Sequence, residues 1–137
     1  MSILGVDYGN KRIGIAVSDP GLTMAHPLRT ILVKPDGSHM DEIREAARAY
    51  DADRIVVGLP YNMDGSLGFK GQEVMLWGGK LEEMTGLPVI YWDERLSTSE
   101  AHGILLGFNV KGKKRRAVVD KIAASIILQG YLDSEHS

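Results

Sequence analysis

The stretch SILGVDYGNKRIGIAVSD, residues 2–19, decides the fold. SILGVDY (2–8) and RIGIAVS (12–18) are short apolar runs joined by Gly9-Asn10-Lys11. In the second run Ile13, Ile15 and Val17 alternate with Gly14 and Ala16, which is the pattern of a strand with one bulky and one small face. The pair predicts a β-hairpin. Asp19-Pro20-Gly21 supplies turn chemistry, and LRTILV (28–33) reads as a third strand before Pro35-Asp36-Gly37. From Ser38, a plausible N-cap, the period changes: Met40, Ile43, Ala46, Ala47 and Tyr50 recur at helical spacing. RIVVGL (54–59) is nearly continuous in apolar residues, as in a strand buried on both faces. Residues 60–71 read as a loop, 73–84 as a helix despite Gly78-Gly79 with Gly86 at its C-cap, and PVIYW (88–92) as a fifth strand. Ser97-Thr98-Ser99-Glu100 has the form of a capping box, opening a helix to about Leu106. Residues 117–132 form the strongest helix, apolar around most of its circumference and expected to be well buried. The order β-β-β-α-β-α-β-α-α predicts an α/β fold on a five-stranded mixed sheet, three antiparallel strands followed by two parallel ones, flanked by helices.

At 137 residues the chain suits one domain spanning 1–137. With 44% hydrophobic and 25% charged residues it has the composition of an ordinary globular chain rather than a disordered one. The absence of cysteine excludes a disulfide scaffold, a thiolate metal site and a cysteine nucleophile. No basic leader followed by an apolar run opens the sequence, and no apolar run approaches the ~18 residues of a membrane span, so a cytoplasmic address and no membrane partner are expected. The net charge of -2 hides an asymmetry. KGKKRR (111–116) carries five of the 16 Lys and Arg residues, leaving 11 basic against 18 acidic residues elsewhere. Such a segment is either a solvated loop or an electrostatic contact to phosphates, and overall charge does not choose between them.

Three acidic positions stand out. Asp7 interrupts an apolar strand between Gly5 and Gly9; taken alone, it reads first as a residue closing a hairpin by bonding nearby backbone N–H groups. Asp93 and Glu94 follow the fifth strand, at the sheet edge where α/β proteins bind ligands, although a polar strand end with Arg95 pairing locally would look the same. Asp120 shares a helix face with Ala123, Ala124, Ile127 and Tyr131, so it needs a partner: Lys121, Arg116, the helix dipole or a metal. Carboxylates gathered from three distant segments repel unless cations neutralise them, and hard ions such as Mg²⁺ or Mn²⁺ choose all-oxygen ligands of this kind. Two such ions about 3.5–4 Å apart serve phosphodiester cleavage. His26, His39, His102 and His136 form no metal-spaced pair, and Ser97 and Ser99 lack a nucleophile-elbow context. Neither a Walker A sequence nor G-x-G-x-x-G occurs. The loop from Tyr61 to Ser66 would suit a lid on a nucleic-acid backbone, and Phe69 and Trp77 could stack on bases, although burial is the commoner fate of an aromatic.

GVDYGNKRIGIAVSD (5–19), VVGLPYNMDGS (56–66), WDERLSTSEA (92–101) and DKIAASIILQGYLD (120–133) together resemble the RuvX/YqgF family of pre-16S rRNA nucleases, relatives of the RuvC-type Holliday junction resolvases. The motifs run in order over essentially the whole chain. The resemblance implies an RNase H-like fold and a divalent-metal-dependent endonuclease, with Mg²⁺ or Mn²⁺ as cofactor, acting on structured nucleic acid in processing of the 5′ end of pre-16S rRNA. By position it implies Asp7, Glu94 and Asp120 as catalytic and metal-holding residues, and leaves Asp93 outside that set. It also suggests that Asn62, Asp64 and Arg95 lie beside the site, with Lys111, Lys113, Lys114, Arg115 and Arg116 holding the backbone. The partners so implied are pre-rRNA or branched DNA and ribosomal particles, with the protein a monomer or weak homodimer. Two other readings stay open: a resolvase-like DNA nuclease, and a non-catalytic nucleic-acid-binding module of ribosome assembly. A phosphate-binding hairpin of the actin and sugar-kinase ATPase type ranks low, since that chemistry needs a second lobe.

Overall fold

A computed structural model describes residues 1–97 and 113–136, by backbone alone at 97 and 113–117. Its elements are β1 (Ser2–Tyr8), β2 (Arg12–Ser18), β3 (Ala25–Leu32), α1 (Ser38–Ala49), β4 (Ala52–Leu59), α2 (Phe69–Thr85), β5 (Val89–Asp93), a 3₁₀ turn (Glu94–Ser97) and α3 (Lys113–Glu135). The strands form one sheet in the order β3-β2-β1-β4-β5. β1 pairs antiparallel with β2, and β2 with β3, while β1–β4 and β4–β5 are parallel. This is the expected mixed sheet. Side chains alternate across it, so each strand feeds two cores. Leu4, Val6, Ile13, Ile15, Ile55 and Val57 face α1 and α2, where Ile43, Ala46, Val74 and Leu81 cover them. Ile3, Ala16 and Val56 face α3 and pack on Ala124, Ile127, Leu128 and Leu132.

Several boundaries differ from those expected, each for a physical reason. β3 begins at Ala25 rather than Leu28 and runs through Pro27. It is an edge strand, and the register shifts between Ile15 and Ala16, opposite Pro27, so the missing N–H interrupts no regular ladder. Ser38 is the first helical residue of α1 rather than its cap; Gly37, at φ 78, precedes it, and the Asp36 carboxylate accepts the Ser38 N–H at 2.9 Å. α2 starts at Phe69, four residues before the expected Glu73, and passes through Gly78-Gly79. A methyl group at Gly78 would collide with the Tyr91 hydroxyl, whereas Gly79 faces open space. Gly86 ends the helix in the left-handed conformation, as expected. α3 begins at Lys113 rather than Ala117, so four residues of the basic segment are helical. The capping box and helix expected over 97–106 fall, from residue 98 onward, outside the described residues. No helix among the described residues is long and apolar enough to cross a membrane.

Candidate active site

Glycines on either side of Asp7 build the site. Asp7 lies near the carboxyl end of the central strand, paired with Gly14 of β2. On its other side β4 runs parallel, Val6 opposite Val57, which brings Gly58 beside Asp7. A methyl group at Gly14 would collide with the backbone carbonyl of Asp120 and come within 3.0 Å of the Lys121 nitrogen. One at Gly58 would sit 2.7 Å from Glu94 Oε1. At Gly5, two residues back on the same face, it would meet Leu128 Cβ at 2.7 Å. The bare backbone therefore lets α3 lie directly on β1 and β2, lowers Asp120 towards the end of β1, and leaves room for Glu94 over β4. Asp7, Glu94 and Asp120, distant in sequence, come to one edge of the sheet.

Their charges are coupled. Burial raises the Asp7 carboxyl from 3.8 to about 7, with the charges of Glu94 and Asp120 adding to the effect and Lys70 opposing it. Glu94 is also raised, first by burial and then by Asp93, and again Lys70 opposes. Asp120 is held by neither Lys121 nor the helix dipole: its Oδ2 accepts a 2.7 Å charge-assisted bond from Nε of Arg12, on β2. The two side chains are 19% and 30% exposed, a partly desolvated pair 108 residues apart in sequence. Lys70, in the first turn of α2, places Nζ 3.1 Å from Asn10 Oδ1 and 5.6 Å from the centre of the Tyr8 ring. Arg12 and Lys70 are thus two cations at this edge that the sequence did not single out. Among the described residues no three His, Cys, Asp or Glu side chains stand close enough to hold an ion as they are placed. Asp120, turned onto Arg12, is one visible reason. The donor set, three carboxylates and no softer ligand, suits a hard divalent ion.

Beside the acids lies a second polar cluster. Arg95 grips Asp93 with Nε and Nη2, at 3.1 and 2.7 Å, and holds that carboxyl below its ordinary range. The same guanidinium donates through Nη1 to the Asn62 carbonyl at 3.2 Å and stands 5.2 Å from the centre of the Tyr61 ring. Asn62 and Ser66 close the loop with a backbone bond of 2.9 Å and a side-chain bond of 3.0 Å. Asp64 accepts the Ser66 hydroxyl at 2.6 Å and its N–H at 2.9 Å, bonds that lower its pKa. Arg95 therefore anchors the 61–66 loop to the end of β5. Phe69 is 89% exposed, whereas Trp77 is buried and packs on Tyr8 with ring centres 4.5 Å apart, so Trp77 has no face left for a base. Lys111 lies outside the described residues, and Lys113, Lys114, Arg115 and Arg116 are described only as the backbone of α3.

Comparison with known proteins agrees with this architecture. The family model described as RuvX, Holliday junction resolvase, matches residues 1–134. A protein of Caldanaerobacter subterraneus subsp. tengcongensis named "Putative pre-16S rRNA nuclease" is 45% identical over 136 residues, covering 98% of both chains. A Bacillus cereus protein of the same name is 44% identical over 137 residues, covering 98% of this chain and 100% of its own. Among solved structures, T. thermophilus RuvC bound to a Holliday junction substrate aligns over 99% of this chain and 96% of its own, with TM-score 0.57 and 15% identity. The fowlpox virus resolvase in its Holliday junction complex aligns over 100% of both chains, with TM-score 0.60 and 12% identity. At such identities these two show the fold alone, the RNase H-like fold of the resolvases. The match of residues 1–134 and the near-full-length relatives show that this chain belongs to the RuvX family of resolvase-like nucleases.

Proposed function

We propose that the protein is a divalent-metal-dependent endonuclease that cuts a phosphodiester bond of structured RNA, in maturation of the 5′ end of pre-16S rRNA in the bacterial cytoplasm. The observation that carries this reading is the half-buried Asp7 carboxyl, held near pH 7 between Glu94 and Asp120 at the carboxyl edge of the sheet. A carboxyl raised in this way by burial and by like charges is poised for a cation that would return it to the ionised form. Asp7, Glu94 and Asp120 would hold the ion, and Asp120 would exchange Arg12 for it. When bound, Mg²⁺ or Mn²⁺ supplies an activated water and charge compensation for the leaving oxygen. The chain's own residues do the rest. Gly14 and Gly58 keep the acids against a rigid central strand. Arg95 fixes Asn62 and Asp64 as one wall, and the basic segment, Lys111 to Arg116, whose last four residues open α3, adds attraction for the backbone.

The relatives' names support RNA as the substrate; the likeness to junction-bound resolvases keeps branched DNA as the second substrate to be assayed. The test incubates the purified full chain with Mg²⁺ or Mn²⁺ and labelled pre-16S RNA fragments or four-way DNA junctions, beside Asp7→Asn. RNA cleavage that vanishes in Asp7→Asn is the expected result. Cleavage of junctions alone would reassign the substrate, and cleavage that persists in Asp7→Asn, or never occurs, would overturn the reading. The Arg12–Asp120 ion pair favours a second reading, a ribosome-assembly module that binds nucleic acid without metal. Titration calorimetry with Mn²⁺ separates the two, since heat that disappears in Asp7→Asn belongs only to the nuclease.

A further inference from the structure

Lys70 is not among the acids and basic residues that the sequence marks as a site, yet it is built into the same edge. It stands in the first turn of α2 and reaches to the β1–β2 turn, where Nζ lies 3.1 Å from the neutral amide oxygen of Asn10. Its ammonium also stands 5.6 Å from the centre of the Tyr8 ring, the residue next to Asp7, and 3.4 Å from Glu73. The side chain is 47% exposed. Each of these ties is weak: a neutral acceptor, a ring face and a solvated ion pair, the last worth on the order of 0.2–1 kcal/mol. Lys70 therefore stands beside the end of β1 that carries Asp7, on the α2 side, while Arg12 is committed to Asp120 on the α3 side.

We propose that Lys70 is a phosphate-holding residue of this site: its ammonium, docked on Asn10 and over the Tyr8 ring, exchanges those partners for a phosphate oxygen of the nucleic-acid strand bound across Asp7. The exchange is cheap because no buried bond is broken, and a doubly shared phosphate charge is a better partner than an amide. The bound strand would in turn lie along the α2 side of the edge, between Lys70 and the loop that Arg95 anchors. The inference rests on the nuclease reading of the same edge.

Binding of a fluorescent RNA hairpin to the full chain, followed by anisotropy in Ca²⁺ over a range of KCl, tests it. Lys70→Gln is expected to weaken binding about fivefold to tenfold at low salt and to lower the slope of log Kd against log salt by about 0.7–0.9, the signature of one lost phosphate contact. Lys70→Arg should restore both. Asn10→Ala breaks the same tie between α2 and the hairpin but keeps the ammonium, so it should leave the slope unchanged. An unchanged slope in Lys70→Gln, or an equal fall in Asn10→Ala, would overturn the assignment of Lys70 while leaving the nuclease reading intact. Failure of the unaltered chain to bind the hairpin at any salt would overturn both.

Discussion

Asp7 is a carboxylate held at a cost, and the sign of that cost is testable. Its pKa in the fold, about 7, lies above the ordinary 3.8, so the fold favours the acid form. That contribution is fully present below pH 4 and is lost as the pH rises through 7. Once ionised, the group costs the fold up to ~4 kcal/mol, the free-energy equivalent of moving a carboxyl from 3.8 to about 7. Asp7→Asn keeps the shape without the charge. In EDTA at pH 8 the variant is expected to be more stable than the unaltered chain by about 1–4 kcal/mol, with the difference shrinking as the pH falls below 7 and closing only near pH 4; thermal melts at pH 8 and pH 4 would show it. Equal melting at pH 8 would mean that Asp7 is well solvated. Arg12 behaves in the opposite sense. Arg12→Gln removes a partly buried charge-assisted bond and leaves Asp120 uncompensated, a loss of about 1.5–3 kcal/mol in urea unfolding without metal. Because the freed carboxylate becomes available to a cation, Mn²⁺ should raise the Tm of Arg12→Gln more than that of the unaltered chain.

At the scale of elements, the approach of α3 to the sheet depends on residues that have no side chain. Gly14→Ala would drive a methyl group into the Asp120 carbonyl, a backbone atom that cannot turn aside, so α3 must shift. The expected loss is about 1–3 kcal/mol or more, with weaker Mn²⁺ binding because Asp120 moves with the helix. Gly79→Ala, facing open space in mid-helix, should instead stabilise by about 0.5–1 kcal/mol. Chemical denaturation of the two variants checks the pair, and a stabilised Gly14→Ala would contradict the close approach. The same contrast explains what was legible in the sequence. Alternation in Ile13, Ile15 and Val17 and the unbroken run at 54–59 announced a hairpin followed by a buried parallel strand, because periodicity is local. Asp7 and Asp120 could be picked out because a carboxylate among apolar neighbours is locally anomalous, whereas the choice of Glu94 over Asp93 came only from the family resemblance. Arg12 and Lys70 could not be picked out. Their roles follow from strand register and from where α2 begins, and the Arg12–Asp120 pair joins residues 108 positions apart. The strand through Pro27 is hidden for a related reason, since pairing with β2 outweighs local propensity there, while the basic segment can open α3 because Lys and Arg are good helix formers.

For the whole molecule the decisive quantity is where the charge lies, not its sum. Outside residues 111–116 the chain carries 18 acidic against 11 basic residues, so most of its surface repels a polyanion. The edge proposed to receive RNA is itself acidic: Asp7, Glu94 and Asp120 come together there, with Arg12 and Lys70 as counter-charges among the described residues. A phosphate brought to Asp7 in the absence of ions would face carboxylates that Arg12 and Lys70 compensate only in part. Cations at the acids and phosphates on the strand should therefore bind cooperatively, each removing repulsion felt by the other, and the coupling must be reciprocal. Adding Ca²⁺ at constant ionic strength is expected to tighten RNA-hairpin binding about tenfold or more relative to EDTA. Asp7→Asn should behave in the reverse way, binding RNA in EDTA more tightly than the unaltered chain because one carboxylate is gone, and gaining less from Ca²⁺. Anisotropy titrations of both proteins with and without Ca²⁺ measure all four affinities. If Ca²⁺ changes neither protein's affinity, the strand does not lie on the acidic edge, and RNA recognition belongs to the basic segment alone.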